Sequence, residues 1–198
     1  MVEANVKIIE ELKYFLKVVS TDASIRKLVT QSDVDFSRDR KLPMERIAAL
    51  IINMPKRSLS IEIQEFFDSL EEGLESSTKG AFSLQRTKLQ ALFFQVWNKW
   101  LVDCYYHYYG AKVKRWRGFL LQAVDGSMAY LMNKKEVVEY FGTQDNQHVS
   151  VPMARVMQVQ DILNDITVWG DIRPISESEQ AIMAGRVGQL HEDSLTLF

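Results

Sequence analysis

The sequence predicts an α+β chain, with an all-helical N-terminal domain over residues 1–110 and a sheet-containing domain over residues 111–198. Three observations carry that expectation. Apolar residues recur at three- and four-residue spacing as far as Tyr109, and after Gly110 they give way to short apolar runs bounded by turn residues. The charge divides in nearly the same place. Residues 1–120 hold 19 Lys and Arg against 15 Asp and Glu, a net of +4, while residues 121–198 hold 5 against 11, a net of −6. A positive first part joined to a negative second part is what a DNA-gripping module joined to a metal-binding carboxylate domain would show, and it is also a division that chance produces.

Composition sets the bounds. With 46% hydrophobic and 11% aromatic residues in 198, the chain can bury one good core or two modest ones, which excludes disorder. No run of eighteen apolar residues occurs, and the opening MVEANVKIIEELKYF mixes charge into its apolar positions. A membrane partner is therefore excluded, and a soluble, cytoplasmic bacterial chain is expected. The single cysteine, Cys104, rules out an internal disulfide and is expected to be buried. His107, His148 and His191 lie too far apart in sequence for zinc-type spacing.

Element by element, the first helix follows from Ile8, Ile9, Leu12, Phe15, Leu16 and Val19, one apolar face among Lys and Glu. Ser20 to Arg40 reads as a polar, turn-prone segment. Pro43 suits a first helical turn, and Ile47, Ala48, Leu50, Ile51 and Met54 form the next stripe, which Pro55 ends. A third helix is expected from about Leu59 to Leu70, broken at Gly73. A fourth is expected over Ala81 to Leu89, with Phe82 and Leu89 inward and Ser83, Gln85, Arg86 and Lys88 outward, where they would suit phosphates and base edges or simply form a solvated face. A long helix over Ala91 to Tyr109 carries Leu92, Phe93, Val96, Trp97, Trp100 and Leu101, and its tyrosines 105, 106, 108 and 109 read first as core and second as a base-stacking surface.

Past Gly110, Phe119 to Val124 is a buried-strand signal that stops at Asp125 and Gly126. Further strands are expected over Ala154–Gln160 and Ile166–Ile172, joined by a turn at Asn164 and Asp165. Ser176 and Glu179 have the spacing of a capping box for a helix through Leu190, and Ser194 to Phe198 starts another strand. By itself, Asp125-Gly126 between apolar runs is also a hairpin-turn signal.

The order of these pieces adds a second reading. WRGFLLQAVDGS resembles the first strand of the DDE transposases of bacterial insertion sequences, which ends in Asp-Gly-Ser. VPMARVMQVQDILNDITVWGDIRP resembles that family's second and third strands, ISESEQAIMAGRVGQL its next helix, and SLTLF the start of a strand followed in the family by an aspartate. Upstream, FSRDRKLPMERIAALIINMPKRSLSIEIQEFF and TKGAFSLQRTKLQALFF resemble the helical N-terminal domain of the same group, so the resemblance covers nearly all of Phe36 to Phe198.

The resemblance implies a ribonuclease-H-like domain, here only its first part, in which three carboxylates hold two magnesium or manganese ions for metal-dependent DNA cleavage and strand transfer. Two cations about 4 Å apart clamp the attacking and leaving oxygens of an in-line displacement. Asp125 is the first of the three and the expected catalytic metal ligand. The family's second aspartate would fall just after Phe198 and its glutamate later, so this stretch alone is expected to be inactive and to hold no metal tightly.

For binding, Lys112, Lys114, Arg115 and Arg117 cluster around Trp116, and Lys56, Arg57, Arg86 and Lys88 would extend a positive surface for double-stranded DNA at the element ends. A sheet stopping at Phe198 would expose an edge and favour a homodimer. Two other readings stand beside this one. One is a non-catalytic DNA-binding or regulatory fragment; the other is a helical transcription regulator, which leaves the strand order after Gly118 unexplained.

Overall fold

The computed structural model describes residues 2–38, 40–53, 57–70, 75–145 and 149–198. It is an α+β structure of two compact units, Val2–Trp97 and Asn98–Phe198.

The first unit is helical. It comprises α1 (Val2–Thr21), α2 (Ala23–Val29), α3 (Met44–Asn53), α4 (Leu59–Asp68), α5 (Lys79–Arg86) and the first turns of α6 (Ala91–Tyr109). Its core gathers Ile47, Ala48, Phe82 and Phe93, all with no exposed surface, together with Val19, Met44, Ile63 and Phe67. Val19, Ile47, Ala48, Phe82 and Phe93 are inward positions of the expected apolar stripes, because a helix with one apolar face is stable only when that face is covered, and Met44, Ile63 and Phe67 join them. Phe93 is the hub, with ring centroids 6.1 Å from Phe15, 5.1 Å from Phe94 and 5.3 Å from Trp97.

Two expectations in this unit are corrected. The polar, turn-prone segment from Ser20 to Arg40 contains α2, which starts because the Asp22 carboxylate accepts from the Ser24 and Ile25 amides at 2.8 and 3.3 Å. The fourth helix begins earlier and ends earlier than expected. Thr78 caps its start by accepting from the Ala81 amide, and its last residue is Arg86. Leu89 lies beyond it in a single bridge to Thr30, fastened by Gln31 N–H to the Lys88 carbonyl and Gln90 N–H to the Val29 carbonyl, each at 2.9 Å. The ends expected at Pro55 and Gly73 fall outside the described residues.

The second unit holds the rest of α6, then β1 (Leu120–Tyr130), α7 (Lys135–Phe141), β2 (Thr143–Asp145), β3 (Ser150–Asp161), β4 (Ile166–Pro174), α8 (Glu179–Ala184) and β5 (Ser194–Leu197). The strand order is β2-β3-β1-β5, with β4 also paired to β3. β1 runs antiparallel to β3 and parallel to β5, and β4 runs antiparallel to β3 with a register shift at Val159/Gln160.

Alternation sorts the residues of the sheet between its two faces. Val124, Met157 and Val159 pack beneath Ile182 and Met183 of α8, with Trp169 and Leu190 at the margin. An Arg155–Glu179 pair at 2.6 Å and an Asp171 carboxylate shared by Arg173 (2.8 Å) and Arg186 (3.5 Å) pin the polar edge of that layer. Gly126 belongs to the same face, where a side chain would meet the Glu179 carboxyl at 2.6 Å. Gln122 is wholly buried there with neither amide atom bonded among the described residues, and nothing in the structure explains it.

Here too the sequence expectations need amendment. Asp125-Gly126 is not a hairpin turn, since β1 continues through both residues to Tyr130. The tight turn lies earlier, at Arg117 and Gly118, whose φ values of 49° and 92° match the hand favoured in two-residue hairpins. Trp116 and Phe119 close it with reciprocal N–H···O bonds of 2.9 and 3.0 Å. The cap of α8 is Ser178, which accepts from the Ala181 amide, and Glu179 is drawn away from a capping role by Arg155. The helix stops at Ala184, and only a short 3-10 turn at Val187–Gln189 follows. Lastly, the change of unit falls inside α6 at Trp97/Asn98, although the helix itself persists to Tyr109. The Asn98 amide donates to the Thr167 and Val168 carbonyls at 3.1 and 3.3 Å, which ties the second part of α6 to β4.

Candidate functional site

Asp125 lies midway along β1, opposite Gln158 of β3, on the face away from α8. Its carboxylate is exposed and has no hydrogen bond or ion pair among the described residues. Three other aspartates of the β3–β4 region are engaged. Asp161 accepts from Tyr106 and Asn164, Asp165 accepts from the Gln160 amide at 2.8 Å, and Asp171 holds its two arginines. Asp125 is thus the uncommitted acid of the central strand. Among the described residues no group of three or more potential ligands is placed to hold a metal ion.

The parallel register of β1 with β5 matters for that face. Leu121 pairs with Leu195 and Ala123 with Leu197, so Leu195 and Leu197 lie on the same face as Asp125, at 40% and 48% exposure.

The basic residues divide by what they touch. Lys112, in a short 3-10 turn after α6, and Lys114, in the extended linker, are exposed. The Arg115 guanidinium bonds the Gly118 carbonyl at 3.0 Å and lies 4.0 Å from Asp193, and that of Arg117 lies over the Trp116 ring at 4.7 Å. The linker is brought close to β1 by the turn it forms.

In the helical unit the expected surface is less open. Arg57 is engaged with Glu65 at 2.6 Å and with the buried Glu62 at 3.7 Å. Lys88 lies 3.8 Å from Asp35. Ser83 and Gln85 are half-buried, whereas Arg86 is exposed beside the Phe82 ring. Lys56 lies outside the described residues. Gln85 and Lys88 do meet in a cleft of about 320 Å³ with Asp35, Phe36, Arg38 and Arg40. The two arginines were readable only as the Arg-Asp-Arg run of a polar stretch.

Beneath the linker is a buried polar network that sequence reasoning missed. The Tyr106 hydroxyl donates to Asp161 at 2.9 Å, and Asp161, with no exposed surface, also accepts from the Asn164 side chain at 2.8 Å and the Asn164 backbone at 3.2 Å. The Asn164 amide then clasps Lys114 from both sides, accepting from its N–H at 2.9 Å and donating to its carbonyl at 3.0 Å. Burial, with the Asp161 carboxylate next to it, pushes the Tyr106 phenol well above its ordinary range. The only sequence signal was Asn-Asp in a turn, and it said nothing of a partner 50 residues away.

No family model, no curated protein and no solved structure matches this chain.

Proposed function

We propose that this chain is the DNA-binding N-terminal part of a DDE-type transposase, with a ribonuclease-H-like sheet domain that carries the first catalytic aspartate. The observation behind this reading is Asp125, an uncommitted carboxylate on the central strand of a mixed sheet, reached directly from a basic linker. The strands β1, β3 and β4, then α8 and β5, follow one another in the order of the sequence resemblance, with α7 and β2 between β1 and β3. A metal pair, when bound, would polarise the phosphate and activate the attacking hydroxyl. Asp125 alone does not supply the donors such a pair needs, so the described residues are assigned DNA binding, and cleavage falls to the protein only when further acids join Asp125.

Fluorescence anisotropy of a labelled mixed-sequence duplex tests the binding. Affinity is expected to fall as salt rises, with a logarithmic slope of about 0.9 per phosphate contacted. Lys114→Glu/Arg115→Glu is expected to weaken binding at least tenfold, on the order of 1.4 kcal/mol. Absence of binding at low salt would refute the assignment.

A second reading, a binding or regulatory module without chemistry, is favoured by the lack, among the described residues, of a group of three potential ligands around Asp125. Magnesium-dependent nicking that Asp125→Ala abolishes would exclude it.

A further inference from the structure

We propose that the cleft lined by Tyr105, Tyr109, Lys112, Lys114 and Asn164 binds one unpaired nucleotide, its base against the tyrosine rings and its phosphate between the lysines. The inference rests on the DNA-binding reading above and adds a strand state to it.

The cleft has a volume of about 550 Å³, within the range of roughly 300–1,000 Å³ typical of small-ligand sites. One wall is aromatic. Tyr105 and Tyr109, one helical turn apart, stack on each other with centroids 4.3 Å apart and planes 22° apart, and both are half-buried. A flat pair of rings offers a nucleobase the contact that bases make with one another, about 1–3 kcal/mol per base.

The other wall is cationic. Lys112 and Lys114 are exposed, and neither ammonium enters an ion pair among the described residues, whereas Lys41, Lys99 and Lys135 all face an acid. Among the described residues, no carboxylate lines the cleft. A planar aromatic group carrying negative charge fits this combination, and a base with its phosphate is such a group.

The floor explains what kind of nucleotide is accepted. Asn164 has the donors and acceptors that would read a base edge, yet both of its side-chain atoms are taken. Oδ1 accepts from Lys114 N–H and from the Tyr105 hydroxyl at 3.3 Å, while Nδ2 donates to the Lys114 carbonyl and to Asp161. With its polar floor saturated, the site holds a base by its face and is indifferent to its identity. A paired base in a duplex cannot present its face, so the lysines alone would meet such DNA.

The test uses the 198-residue chain and two duplexes of equal length, one fully paired and one with a single unpaired 2-aminopurine. On saturation of the second duplex the 2-aminopurine fluorescence is expected to fall severalfold. Tyr109→Leu is expected to restore the fluorescence and weaken binding of that duplex about tenfold, leaving the paired duplex within twofold. Lys112→Gln, at an exposed position, is expected to weaken the unpaired duplex more than the paired one. Displacement of the quench by millimolar deoxyadenosine monophosphate would show that free nucleotides also enter; its absence would assign the site to strands.

Equal binding of both duplexes with unchanged fluorescence, or a quench that survives Tyr109→Leu, overturns the proposal and leaves the DNA-binding reading standing. Failure to bind either duplex, with no response to the monophosphate, overturns both.

Discussion

Asp161→Ala is expected to destabilise the sheet-bearing unit by about 2–4 kcal/mol, because it strips several buried donors of their shared acceptor. Asp161 has no exposed surface and accepts three hydrogen bonds, from Tyr106 Oη, Asn164 Nδ2 and Asn164 N. Truncation leaves the Tyr106 hydroxyl facing the emptied space and the Asn164 donors unmatched, and each uncompensated buried donor costs on the order of 1–3 kcal/mol. Urea unfolding followed by tyrosine and tryptophan fluorescence would measure the loss. Asp161→Asn should cost less, because the amide oxygen can still accept from Tyr106 while its NH₂ confronts the Asn164 N–H. A loss under 1 kcal/mol for the alanine variant would mean that the network contributes little.

The same network sets an alkaline limit. The folded Tyr106 phenol titrates above its ordinary value of 10.0, so the stability linked to it is intact below about pH 10 and drains as pH rises through the folded value. Tyr106→Phe would flatten that part of the pH profile.

Phe93→Ala should unfold much of the helical unit, at a cost of about 3–5 kcal/mol. Phe93 has no exposed surface and stands among Phe15, Phe94 and Trp97, so the lost ring removes buried area from three aromatic partners at once. The neighbouring helices cannot close the gap without shifting whole turns. Far-ultraviolet circular dichroism during urea unfolding would report it, with Leu84→Ala as the control. Leu84 is 70% exposed and should change stability by no more than about 0.5 kcal/mol. Equal effects at the two positions would refute the assigned core.

Both experiments probe parts of the fold that differed in how visible they were. The helical core was legible because spacing alone brings Ile47, Phe82 and Phe93 to inward faces, and burial acts on spacing. The strands β3 and β4 and their turn at Asn164–Asp165 were legible for the same reason, and Asp165 adopts the positive φ of 53° such a turn requires. Local hydrogen bonding was harder to anticipate. Asp22 starts a helix within a stretch rich in turn residues, and Ser178 outcompetes Ser176 because Arg155, 24 residues before Glu179, claims the box's acid.

Asp125-Gly126 is the clearest case of two signals in conflict. The dipeptide favours a turn, but β1 is paired on both sides, to β3 over its full middle and to β5 at its start, and ladder bonds outweigh a local turn preference. As for the candidate site, the position of Asp125 and the linker cations were readable, while the tyrosine cleft and the Asn164 clasp depend on contacts that no local pattern encodes.

The clasp has a consequence for ligand binding in entropic terms. Fixing one backbone residue costs about 1–2 kcal/mol, and a charged segment that orders only on contact loses that amount from its affinity. Lys114 is outside every strand, yet its N–H and carbonyl are both bonded, by a side chain rather than a neighbouring strand. Folding has therefore already immobilised it. Whatever anion the linker meets, the contact at Lys114 begins from an ordered backbone.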